Sequence, residues 1–131
     1  MTSDKQQQAE YNFKQGDYLE ALKQYQSLSE EEVNVSRWHY KIALCLQHLK
    51  DYPGAIRAIV KAQEHDKKNA LYYCFQGALL NHQGQHKKAI PCFKSALRYK
   101  PKDPAILLSI GLSHYYLSQH DQALTQFNHI I

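Results

Sequence analysis

At 131 residues, with 44% apolar and 21% charged side chains, the chain has the size and balance of one globular domain that can bury a core. It contains no run of 18 apolar residues, and the stretch from Met1 to Gln8 is too polar for a secretory signal, which argues against membrane insertion and predicts a cytoplasmic protein. The net charge of +4 is uneven: residues 1–35 hold three Lys against seven acids (−4), and residues 36–131 hold thirteen Lys or Arg against five acids (+8), so the body favours acidic partners.

Written in rows of 34, the chain aligns with no insertion or deletion, and the rows run over about 2–35, 36–69, 70–103 and 104–131. One column reads Ala21, Ala55, Ala89, Ala123 and the next Leu22, Ile56, Ile90, Leu124. Others read Tyr25, Ile59, Phe93, Phe127, then Leu28, Ala62, Ala96, Ile130, and the small residues Ala9, Ala43, Gly77, Gly111.

Each row predicts two helices. In the first, Lys5, Gln8 and Asn12 stand in columns that are mainly apolar elsewhere, so this helix can face water as a terminal cap should. In the second, Ser36 to Leu49 places Trp38, Ile42, Cys45, Leu46 and Leu49 on one stripe, and Tyr52 to His65 does the same with Ala55, Ile56, Ile59 and Ala62. Pro53 falls in the first turn of its helix, where it is tolerated. In the third row Pro91 removes one backbone donor early in a helix, but the pattern resumes at Phe93, predicting a local irregularity and no break. Between rows, Pro101 stops one helix and Asp103-Pro104 caps the next. Turns inside the rows are expected at Gln15-Gly16, Lys50-Asp51, Gln83-Gly84 and Ser118-Gln119.

A 34-residue helix-turn-helix unit with these columns resembles the tetratricopeptide repeat, over the whole chain. Gly77, Gly84, Ala89, Phe93, Ala96 and Pro101 carry the likeness in the third repeat; Gly111, Ala123 and Phe127 carry it in the fourth. The first two match through Ala9, Gly16, Tyr18, Ala21 and Tyr25, and through Ala43, Tyr52, Ala55 and Ala62. The resemblance implies an all-α fold: a right-handed α-solenoid of four antiparallel helix-turn-helix hairpins, eight helices, in a single domain over residues 1–131.

Chemistry is scarce. The sequence has no Ser/His/Asp or Cys/His grouping, no glycine-rich phosphate loop and no His-Glu-x-x-His, so no catalytic residue, metal site or cofactor is expected. Cys45, Cys74 and Cys92 are odd in number and far apart, which fits reduced thiols. His82 and His86 should sit on different helices, separated by the turn at Gly84, and His86 and His120 share the column of Tyr18 and Tyr52, which favours packing over ligation.

What remains is a second apolar stripe on the first helix of each repeat. Tyr40 and Leu44 point away from Trp38, and the equivalent pairs are Cys74 with Ala78 and Leu108 with Leu112. Leu71, Phe75 and Tyr115 extend this floor, and Arg37, Lys41, His48, Asn81 and His82 would rim it. In the resembled family the first helices line a concave face that binds extended peptides or a partner helix. The expected function is a non-enzymatic scaffold for a protein or peptide ligand with apolar anchors and acidic flanks. Small secretion-type chaperones that hold apolar client segments are a narrower version. An RNA-binding adaptor using Lys87, Lys88, Lys94, Arg98, Lys100 and Lys102 is the competing class, and nucleic acid ranks below protein as a partner. The family's grip on acidic chaperone tails is not expected, since its positions hold Gln6, Glu10, Lys41, Leu71 and Phe75. Leu124, Phe127, Ile130 and Ile131 end the last helix without a polar helix to cover them. A shortened chain, a frayed end, or association through this surface, either homotypic or with further repeats, would each account for that.

Overall fold

The computed structural model describes the backbone of residues 2–130 and the side chains of residues 4–119. Among these residues every regular element is helical: α1 (Thr2–Lys14), α2 (Tyr18–Glu31), α3 (Ser36–His48), α4 (Tyr52–His65), α5 (Ala70–His82), α6 (His86–Tyr99) and α7 (Pro104–Ile130). The expected all-α repeat architecture is therefore present, built from three hairpins followed by one long helix. The chain divides into two compact units, residues 1–68 with α1 to α4 and residues 69–131 with α5 to α7, and the division falls where the 34-residue register changes from the second row to the third.

The columns predict the core. In the first unit Ala9, Ala43, Ala21, Ala55, Leu28 and Ala62 are fully buried, so that helices approach closely around Tyr25, Trp38 and Ile59. In the second, Ala89, Phe93 and Ala96 of α6, Leu79 of α5 and Ile106 of α7 are buried, and the Phe93 ring lies against Gly77 of α5. Pro91 lies inside α6, which runs unbroken; its ring is exposed, as is Lys87, whose carbonyl loses a helical partner to Pro91 and can bond water instead. His82 ends α5 and His86 begins α6, so the two histidines do lie on different helices.

Among the described residues there are seven helices where eight are expected, because α7 runs straight through Ser118-Gln119. The three turns that do form explain the difference. Each needs one residue in the left-handed region, and Gly16, Lys50 and Gly84 take φ values of 84°, 66° and 77° there. Each is followed by the first position of a new helix cap. Asp17 and Asp51 accept hydrogen bonds from the backbone N–H of Glu20 and Gly54. The first turn thus has both glycine and Asp cap, the second has the cap, and the third has the glycine. Ser118-Gln119 has neither. A left-handed Ser costs about 1–2 kcal/mol and a missing cap about 1 kcal/mol more, so continuing the helix is the cheaper local conformation.

Candidate functional site

In the first unit the expected site residues all lie on α3. Tyr40, Lys41 and Leu44 are half-buried, and Arg37 and His48 are exposed. The Arg37 guanidinium sits 4.6 Å above the ring of Trp38, which is buried and donates its indole N–H to Glu32. His48 stacks flat on Tyr18 with centroids 4.1 Å apart, and Phe13 meets it edge-on at 5.5 Å. Both rim residues therefore have intramolecular work; His48 fastens the end of α3 to the α1–α2 hairpin. On a different side of α3, His39 and Ile42 join Gln26, Glu30, Arg57 and Lys61 around a cleft of about 670 Å³, whose lining is mixed in charge and polarity.

The second unit carries the more open surface. On α5, Leu71 is 49% exposed, Ala78 and His82 are exposed, and Cys74 and Phe75 are half-buried. On α7, Leu108, Leu112 and Tyr115 recur at positions i, i+4 and i+7 of one helix face and are 64%, 42% and 55% exposed. A polar knot holds the two helices together. Asn81 of α5 donates from Nδ2 to Oγ of Ser113 of α7 over 2.8 Å, and Ser113 is fully buried. The Asn81 Oδ1 lies 2.8 Å from Nδ1 of His86, whose ring stacks on Tyr116 at 5.0 Å. Asn81 is thus a structural bridge between three helices, with its amide already committed, and His86 packs as its column suggested. Sequence reasoning missed Ser113, although Cys45 and Leu79 at the same position of the two preceding rows are fully buried and a buried hydroxyl demands a partner.

The thiols are not poised for chemistry. Burial pushes the Cys45 thiol up to about 11 and raises Cys74 and Cys92 as well, with Asp103 adding to the effect at Cys74. Among the described residues no group of three metal-ligating side chains comes together, and no helix is long and apolar enough to cross a membrane.

A family model described as the tetratricopeptide repeat matches residues 7–70 and 77–130, which is most of the chain. The chain belongs to the tetratricopeptide repeat family. No curated protein matches its sequence. Solved tetratricopeptide-type structures match its fold. The first TPR of Spaghetti (RPAP3), bound to the HSP90 peptide SRMEEVD, superposes with a TM-score of 0.81 at 17% identity, over 89% of this chain and 93% of that one. MamA gives 0.82 at 19% identity, over 97% and 74%. A T3SS complex from Aeromonas hydrophila gives 0.76 at 18% identity, over 92% and 83%. At these identities the likeness speaks for the fold alone.

Proposed function

We propose that this tetratricopeptide repeat protein is a non-enzymatic scaffold that binds an extended peptide or a partner helix on the first helices of its repeats. The observation that supports this reading most is the apolar face of α7, where Leu108, Leu112 and Tyr115 lie open to solvent in helical register, beside the Leu71 and Ala78 face of α5. Exposed apolar groups concentrated on one side of an element mark contact surfaces, and a tyrosine among them can anchor a ligand while keeping its hydroxyl wet. Within the first unit, Tyr40 and Leu44 hold the same register in α3, with Arg37 and Lys41 on that helix, and in the second unit His82 supplies positive charge for an acidic flank.

The ligand is read as apolar-anchored. The RPAP3 repeat is seen with a peptide ending in Glu-Glu-Val-Asp, but here Glu10 is hydrogen-bonded to Gln6, and Leu71 and Phe75 occupy positions where such a tail would need cations. A narrower version, a chaperone holding apolar segments of a client, draws on the fold likeness to the T3SS complex and on the same open face. RNA binding through α6 is the competing reading: Lys87, Lys94 and Arg98 are exposed, and among the described residues the ion pair found is Lys5 with Glu31, on other helices. Binding of selected peptides by a Tyr40→Ala/Phe75→Ala/Leu108→Ala variant tests the proposal. Loss of binding with little salt dependence supports it. Unchanged binding, or steep salt dependence with loss on charge reversal at Lys87 and Lys94, contradicts it.

A further inference from the structure

Residue 77 of α5 is glycine because the ring of Phe93 in α6 sits on it: a Cβ added there would lie 2.7 Å from the ring's Cζ. The same face of α5 stacks Tyr73 on Tyr99 at 5.9 Å and buries Leu80, completing a seat for α6. Thirty-four residues on, the same three positions of α7 are Leu107, Gly111 and His114. Here the seat is bare. Leu107 is 48% exposed, Gly111 and His114 are exposed, and a Cβ at Gly111 would meet nothing within 4 Å. The sequence that the register assigns to this seat has Ala123, Leu124 and Phe127 where α6 has Ala89, Ile90 and Phe93. Because α7 runs unbroken to Ile130, it carries residue 127 about 24 Å along the helix axis from residue 111, beyond reach of its own seat.

We propose that the Gly111 face of α7 is a docking site for residues 121–130 of a second copy of this chain, exchanged reciprocally between two protomers. The straight passage through Ser118-Gln119, which lacks both the glycine and the Asp cap of the earlier turns, presents the segment outward and leaves the seat open at once. The segment in register with the seat is part of this same chain, so two copies related by a two-fold axis satisfy each other. Phe127 of each then meets Gly111 of the other as Phe93 meets Gly77.

Sedimentation equilibrium of the full chain at tens of micromolar tests this, with circular dichroism to confirm helix content. The expected mass is twice the 15.3 kDa of one chain. Ser118→Gly/Gln119→Asp, which copies Gly16-Asp17, should close the hairpin within one chain and give a folded monomer. Gly111→Leu should also give a monomer, since the added side chain has room on α7 but would collide with the incoming ring. A monomeric wild-type chain overturns the proposal, whatever covers the seat, and so does a dimer that persists in either variant.

Discussion

Asn81 Nδ2 donates to Ser113 Oγ over 2.8 Å, and that hydroxyl, which also donates back to Asn81 Oδ1 and lies 3.0 Å from the carbonyl of Ser109, is fully buried between α5 and α7. A buried hydroxyl at the position held by Cys45 and Leu79 in the two preceding rows is tolerated because Asn81 meets it. Replacing Asn81 by Ala removes that partner and the one shared with His86, which should destabilise the protein by about 1–3 kcal/mol. Urea unfolding should show the loss as a lower midpoint, and Asn81→Ala/Ser113→Ala should recover part of it. Full stability in the single variant would show that the knot contributes nothing.

Gly77 and Phe93 are a matched pair. A methyl at residue 77 would stand 2.7 Å from the ring, so Gly77→Ala should overpack the α5–α6 hairpin and cost about 1–3 kcal/mol despite the better helix propensity of alanine. Gly77→Ala/Phe93→Leu should restore much of the stability by giving the methyl room. A stabilised Gly77→Ala protein in thermal unfolding would contradict the close fit.

His39 stacks on His65 with centroids 5.4 Å apart, and its pKa is held below the ordinary 6.5, first by burial, then by the charges of His65 and Lys61, with Glu64 opposing. Below about pH 6.5 the unfolded chain binds a proton at this site more readily than the folded one does, so acid favours unfolding. Stability from this group is complete above about pH 6.5 and declines as pH falls through the lowered value. His39→Gln should therefore show a shallower fall of melting temperature from neutral to mildly acidic pH than the wild type. An identical pH profile would remove His39 from the account.

All three thiols are raised by burial, Cys45 to about 11, which leaves little thiolate at neutral pH. Labelling with a disulfide reagent under native conditions should be slow at each, slowest at the fully buried Cys45, and should become rapid in denaturant. Fast native labelling at Cys45 would mean that the α3–α4 packing opens readily.

The 34-residue register made most of the fold legible, because small residues at fixed spacing state where helices must approach. Ala21, Ala55 and Ala89 are each fully buried as that logic demands. At Ser118-Gln119 the column predicts a turn where the helix runs on. A turn also needs a residue that accepts positive φ or a side chain that caps the next helix, and both were absent from the letters themselves. On α7, Leu108, Leu112 and Tyr115 are open to solvent. Asn81, which polarity places at a rim, bonds Ser113, and His48 stacks on Tyr18. Polarity alone does not say whether a side chain's partner is a ligand or the next helix.

The central claim, that the apolar faces of the first helices hold a peptide, is tested most directly by selecting a random peptide library on the full chain and on its Leu108→Ala/Leu112→Ala/Tyr115→Ala variant. The account predicts that the wild type enriches peptides with spaced apolar anchors and acidic neighbours, that their affinity changes little with salt, and that the variant binds them at least ~10-fold more weakly, the loss of about 1.4 kcal/mol that truncating one good anchor brings. Equal affinity for wild type and variant would contradict it.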